Sequence, residues 1–366
     1  MSSTAANDSD RRDHYLPGVR EQYEALPYPP RPPQDERQRL KLVPTDHLPI
    51  IADRCFGGRR DLGFTGMRAL VAGGGTGDST IYLAEQLRDT ASEVVHLDLS
   101  LASIDVARRR ASVRGLQNVR FVHASLLDAQ RELDGTFDYI NCSGVLHHLE
   151  DPDAGLKVLR GLLTPTGAMG LMVYGRYGRT AHYQIQTLMR MVNLATDDPA
   201  EKLANLESTL ASLHPHHWLH FSQRVAPTHD AAGTLGDAGR YDLFLHEQDR
   251  AYSIGEVYDW MAANELYIPG PPGNPTTRFL YDPSTYVQDP QFLAHLDTLP
   301  EATRYAIGEL LYGHIGRHIF YATTTPDSQA TLDDADLCPT WVDDGGLGVK
   351  AKLTHQDESQ LVIEHG

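Results

Sequence analysis

The sequence predicts an α/β fold, a mostly parallel sheet with helices on both faces, on three observations. Short β-rich runs alternate with helical runs from about residue 68. A glycine-rich loop, Gly73-Gly74-Gly75-Thr76-Gly77, stands between the first strand run and the helix after it. An acidic residue, Asp98, ends the next strand run, 21 residues beyond Gly77.

The elements follow in order. Residues 1–14 are polar and mixed in charge and read as a disordered tail. Residues 15–60 form an arm rich in proline and aromatics. Six prolines within 27–44 forbid a regular helix there, so an extended arm laid on the core is expected. Residues 61–175 form the core, with strands at 68–73, 93–98, 119–123, 137–142 and 167–173. In 78–88 the apolar residues Ile81, Ala84 and Leu87 recur at helical spacing. In 101–114 Leu101, Ile104, Ala107 and Ala111 do the same, and Gly115 supplies the stop. A third helix, 152–163, has Asp151 as N-cap and Pro152 at its first position.

Residues 176–245 read as a helical insertion with helices at 182–195 and 199–213, shaped to cap a substrate. Residues 246–323 return to the core with a second insertion. They carry an amphipathic helix (253–264), a short sixth strand (265–268), a Pro/Gly loop (270–283), a helix (300–316) and a last strand (318–323). A sheet of seven strands follows. Residues 324–366 are acidic and irregular and are expected to be poorly ordered.

Composition narrows the function. The 49 acidic and 32 basic residues give a formal charge of −17, which argues against bulk binding to nucleic acid or to an anionic membrane. No run reaches the ~18 apolar residues that a membrane span requires. Three scattered cysteines, Cys55, Cys142 and Cys338, make neither a disulfide framework nor a thiolate metal site. The residues before Tyr15 lack the apolar core of a signal peptide. A cytoplasmic protein is expected.

Two readings of the glycine loop compete. A dinucleotide fingerprint started at Gly73 and Gly75 needs a small third residue at 78, where Asp78 stands. The pattern present is G-x-G-x-G, at Gly73, Gly75 and Gly77. In either reading Asp98 is placed to hydrogen-bond ribose hydroxyls.

The segments VAGGGTGDSTIYLA, VVHLDLSLASIDVARRRA, GLQNVRFVHASLLD and FDYINCSGVLHHLEDPDAGLKVLRGLLTPTGAMGLMVY resemble, in order, the successive motifs of class I S-adenosylmethionine-dependent methyltransferases. The AGGGTGD loop and the upstream PYPPR segment are also similar to a bacterial subgroup with an AGCGTG-type loop and a PYPR-type arm. The resemblance implies a Rossmann-like fold and S-adenosylmethionine as cofactor. It further implies that Gly73, Gly75 and Gly77 line the methionine part of that cofactor. Asp98 would bind the ribose, Leu99 would pack on the adenine, and Ser125 and Leu126 would read the adenine amino group. Asn141 would lie where the methyl-bearing sulfur faces the substrate. Many relatives carry an acid where this chain has Val71, so another group must support the cofactor's amino end.

For catalysis, His147 and His148 in GVLHHLEDP are the candidate general bases, His147 nearer the cofactor by position, with packing beside the cofactor as the alternative role. Tyr15, Tyr23 and Tyr28 of the arm are candidates for an aromatic lid over a sulfonium. Arg176, with Tyr174, Tyr177 and Arg179, lies past the fifth strand, where arginine suits a substrate carboxylate or phosphate. The run His214-Pro215-His216-His217-Trp218-Leu219-His220 invites a metal reading if His216 and His220 share a helix face. A turn is the simpler reading, so no metal is assigned. The expected activity is methyl transfer to oxygen or nitrogen of a small molecule. The alternatives are a peptide or protein side chain as acceptor, or a cofactor-binding sensor or partner protein without transfer activity. The sequence leaves the oligomeric state open.

Overall fold

A computed structural model describes residues 17–58, 64–225, 236–274, 277–331 and 333. Among them a seven-stranded sheet is built from β1 (Arg68–Ala72), β2 (Glu93–Asp98), β3 (Val119–His123), β4 (Phe137–Ser143), β5 (Leu163–Gly175), β6 (Ala251–Tyr252) and β7 (Arg317–Thr323). The order is β3-β2-β1-β4-β5-β6, with every neighbouring pair in that path parallel. β7 runs antiparallel along β5, from Ala168↔Thr323 to Tyr174↔Arg317. Strand order reverses between β1 and β4, and ligands of open α/β sheets bind in the crevice beyond that point.

The alternation of side chains explains why both faces are covered. In β1, Leu70 and Ala72 enter the core on one face, while Ala69 and Val71 enter the core on the other. Strands buried on both faces read as continuous apolar runs, as RALVA does. The caps named from sequence form: Asp151 accepts from the backbone N–H of Asp153 and Ala154, and Gly115 ends the helix Leu101–Arg114.

Three elements differ from expectation. The arm begins with a helix, Pro17–Ala25, because Pro17 sits at a first-turn position where its missing N–H costs nothing and no proline recurs before Pro27. Beyond it the prolines of 27–44 leave only the short 3-10 turns Pro33–Arg37 and Pro44–Asp46, and a second helix, Leu48–Cys55, follows before the core. The strand expected at 265–268 reduces to one antiparallel bridge, Tyr267↔Thr323, beside β7, while the strand named β6 lies earlier. His216 stands outside a helix, since the nearest one starts at Trp218. At the other end, Ala330 N–H bonds the Asp53 carbonyl and Ser328 Oγ the Arg54 carbonyl. The tails 1–14 and 334–366 lie outside the described residues.

Between β5 and β6 the described residues form four helices, Thr180–Val192, Pro199–Ser212, Trp218–Val225 and Gly236–Phe244. They share a small core of Ala181, Ile185, Met189, Leu206, Leu219 and Phe244. No helix among the described residues is long and apolar enough to cross a membrane.

Candidate active site

The loop after β1 turns sharply: Gly73, Gly75 and Gly77 take φ of 71°, 52° and 99°, a region closed to most side chains. Gly74 has a different reason. A Cβ there would stand 2.4 Å from the ring of His96, which is buried on β2 and lies 2.7 Å from Thr80 Oγ1 through its Nδ1. Asp98, at the end of β2, accepts from Gly75 N–H at 2.7 Å and from Ser100 N–H at 2.8 Å. Burial lifts its carboxyl above the ordinary range, and the two amides oppose that. An acid buttressed by two amides beside the switch point fits the ribose of an adenosyl cofactor.

The proline-rich arm lies on this loop. Thr76 donates its N–H to the Tyr28 carbonyl at 3.3 Å and its hydroxyl to the Pro29 carbonyl at 2.6 Å, and the Tyr28–Pro29 peptide is cis. Arg31 then forks onto Asp78 at the start of the next helix. Arg110, almost wholly buried, bonds Asp78, the Thr76 carbonyl and Glu36 of the arm. Glu36 also pairs with Arg114. Burial alone would raise Asp78, but Arg31 and Arg110 overcome it and hold the carboxyl below its ordinary value. Further along the arm, Glu24 accepts from the N–H groups of Leu101 and Ala102, and so caps the helix that follows Asp98.

The remaining cofactor candidates fall into different settings. Ser125 is buried, and its hydroxyl accepts from Leu127 N–H at 3.2 Å. Leu126 packs in the core against Leu156 and its neighbours, and Leu99 sits in the turn after β2 with its carbonyl 3.0 Å from His123 Nε2. Asn141, at the end of β4, donates to Asp46 at 2.8 Å and to Ser143 at 3.3 Å. Asp46 was not singled out from sequence. It is fully buried and accepts also from Tyr139.

A second cluster occupies the carboxyl ends of β4 and β5. The ring of His147 lies 3.9 Å from that of Tyr174 and 4.2 Å from that of His148, and His148 stacks on His246 at 3.8 Å. Tyr23 of the arm donates to Asp242 at 2.9 Å, and Tyr174 reaches the other Asp242 oxygen at 3.5 Å. Gln248 N–H donates to His246 Nδ1, so neutral His246 carries its proton on Nε2, which lies 3.4 Å from Tyr23 Oη. A directed chain results, from the Gln248 amide through His246 and Tyr23 to Asp242. His148 Nδ1 lies 2.9 Å from the Gln248 carbonyl and so carries the proton, leaving Nε2 as an acceptor.

Burial holds His147, His148 and His246 below the ordinary histidine value and holds Asp242 above the ordinary aspartate value. These imidazoles are therefore neutral at pH 7. His148, Asp242 and His246 bring ligand atoms within 4.8 Å of one another. The two rings are stacked at 24°, however, so their in-plane lone pairs run side by side rather than converging on one ion. The arrangement suits proton relay.

Arg179 roofs this cluster, its guanidinium carbon 3.5 Å from the Tyr174 ring centre. Asp249 accepts from Gln186 at 2.9 Å and lies 3.7 Å from Arg179. Arg250 lies over the Tyr252 ring, 4.6 Å from its centre.

The structure thus brings His147 together with Tyr174, Arg179 and His246. Tyr28 joins through the arm and bears electrostatically on Tyr23 and Tyr174, each also raised by burial. Arg176 is turned away: its guanidinium bonds Glu256 at 2.6 Å in a half-exposed pair. His214 and His216 are exposed, and the Nδ1 atoms of His214 and His217 accept local backbone N–H groups, which is a turn device. Tyr15 lies outside the described residues. Asp242 was missed because it is 68 residues from Tyr174, and only the spacing Asp242-x-x-x-His246 hints at a shared surface.

Strand order, the glycine loop and the acid that ends β2 at the switch point mark a class I S-adenosylmethionine-dependent methyltransferase, and the chain belongs to that family. Residues 70–169 match the family model described as a methyltransferase domain. The chain is 30% identical over 322 residues to an uncharacterized protein of Synechococcus, covering 86% of this chain and 73% of that one. It is 32% identical over 126 residues to the tRNA 5-carboxymethoxyuridine methyltransferase of Escherichia coli K12, covering 34% of this chain and 47% of the relative. Among solved structures, PKMT2 from Rickettsia typhi in complex with AdoHcy superposes with a TM-score of 0.58 at 18% identity, over 77% of this chain and 54% of that chain. The chain therefore spans about half the length of the last two. S-adenosylmethionine is the cofactor.

Proposed function

We propose that the chain methylates oxygen or nitrogen of a small-molecule acceptor held in the cluster of His147, His148, Tyr174, Arg179 and Asp242. The observation that carries this reading is the number of buried polar atoms there without partners among the described residues. They include both ring nitrogens of His147, Nε and Nη2 of Arg179, and Oδ1 of Asp249. Buried polar atoms are normally hydrogen-bonded, and a polar ligand would satisfy these.

S-adenosylmethionine brings an activated methyl group, so the residues of the chain need only bind, orient and deprotonate the acceptor. His148, with Nε2 unprotonated and Asp242 near enough to favour its charged form, is the proposed base. His147 adds a second hydrogen-bonding face. Gly73, Gly75 and Gly77 would line the methionine part, Asp98 the ribose, and Leu99, Ser125 and Leu126 the adenine. Asp46 is proposed to take over from the acid absent at Val71, since it is bonded to Asn141, the register partner of Val71 on β4. The helices between β5 and β6 form the cap, because they carry His182, Gln186 and Asp242. The arm forms the roof through Tyr23, Tyr28 and Arg31.

A buried cluster suits a small acceptor better than a peptide side chain, and the charge of −17 opposes RNA, although one relative is named for a tRNA substrate. The test is incubation of the full chain with methyl-labelled cofactor and separate metabolite, protein and tRNA fractions. Label in the metabolite fraction is expected. Label confined to protein or RNA contradicts the reading.

A further inference from the structure

Resting on that reading, we infer that the acceptor carries a carboxylate beside the methylated group, and that Arg179 is the residue that holds this carboxylate. Arg179 precedes the helix Thr180–Val192 and is 6% exposed. Its guanidinium is a fixed fork of donors that cannot give up its charge. Two of its nitrogens, Nε and Nη2, have no hydrogen-bond partner among the described residues. The nearest counter-charge, Asp249, stands 3.7 Å from Nη2, beyond hydrogen-bond reach, and spends Oδ2 on Gln186 instead. A buried guanidinium with two idle donors is costly unless something anionic completes it.

The surroundings select the anion. The Arg179 guanidinium carbon stands 3.5 Å over the Tyr174 ring centre, and its Nε and Nη2 remain for two-pronged bonding. Tyr183 stands close by, with Arg179 5.9 Å from its ring centre, and neutral His182 has one ring N–H without a partner among the described residues. These are the donors a planar carboxylate uses. The two acids that share the cluster, Asp242 and Asp249, disfavour a dianion such as a phosphate monoester more than a monoanion. Arg176, the other arginine beyond β5, is already paired with Glu256 and does not compete.

The test uses the full chain saturated with S-adenosylhomocysteine and labelled with nitrogen-15 in arginine. The Nε–H resonance of Arg179 is the one that Arg179→Lys removes. Benzoate and 4-hydroxybenzoate are titrated as probes, with benzamide as the neutral isostere. The inference predicts a saturable shift of the Arg179 resonance with the acids and at least tenfold weaker binding of benzamide. In Arg179→Met that preference disappears and affinity for S-adenosylhomocysteine stays within twofold; in Arg179→Lys part of the preference remains. The absence of a saturable shift with either acid, or a preference that survives in Arg179→Met, overturns the inference. Failure of the wild type to bind S-adenosylhomocysteine strikes instead at the reading on which it rests.

Discussion

Arg31 and Asp78 form a forked ion pair, Nε to Oδ1 at 2.9 Å and Nη2 to Oδ2 at 2.8 Å, that ties the proline-rich arm to the helix opening behind the glycine loop. Asp78 is the residue that spoils a dinucleotide fingerprint. Its carboxylate also meets buried Arg110, which in turn holds Glu36 of the arm. Loop and arm are thus one electrostatic unit, and the residue that departs from a dinucleotide fingerprint is the one that fastens the arm.

Arg31→Met should loosen the arm at a cost of about 1–2 kcal/mol, the range of a charge-assisted pair that water partly reaches. Asp78→Ala should cost about 3 kcal/mol, because it also takes a partner from buried Arg110. Urea unfolding of the two variants checks the order. An Asp78→Ala loss no larger than that of Arg31→Met would refute the shared network.

Asp98→Ala should weaken S-adenosylhomocysteine binding by about 1–3 kcal/mol, through loss of the ribose contacts and of the bond that fixes Gly75. Calorimetry reads this directly. Unchanged affinity would remove Asp98 from the cofactor site.

Gly74→Ala should destabilise the fold by about 1–3 kcal/mol, since the new methyl meets a ring that is itself fixed by Thr80. The double variant Gly74→Ala/His96→Ala should recover part of that loss, as coupled neighbours do. Additive losses in thermal unfolding would show that the ring is not what requires glycine.

The fold was legible in the sequence to within a few residues at most core elements, because the signals there are local. Ile104, Ala107 and Ala111 repeat at helical spacing, and Asp151 and Gly115 mark helix ends. The loop and Asp98 were legible because glycine and acid stand at fixed distances from strand ends. Asp46, Glu36 and Asp242 were not, because their partners lie far along the chain: Asn141, Arg110 and Tyr23. Long-range burial gives a carboxylate no local pattern. The strand at 265–268 dwindled to a bridge because Pro269 and Gly270 end the run two residues past Tyr267.

Asp46 supplies a pH signature. Burial lifts its carboxyl from 3.8 to about 6, with the hydrogen bonds from Ser79, Tyr139 and Asn141 opposing the rise. An acid raised in the folded state binds more protons folded than unfolded, so its contribution falls as pH rises between about 4 and 6 and is a constant cost above that. The cost at pH 7 is about 3 kcal/mol. Asp46→Asn keeps an oxygen for Tyr139 and Asn141, so it should flatten stability against pH in this window and raise stability at pH 8. An unchanged slope in urea unfolding would show that Asp46 is not raised.

The most direct measurement is calorimetric titration of the full chain with S-adenosylhomocysteine, with NAD run beside it. One site per chain is expected, with micromolar affinity for the first ligand and no heat from the second. Binding of NAD alone, or of neither, would contradict a site built from Gly73, Gly75, Gly77 and Asp98 for an adenosyl cofactor.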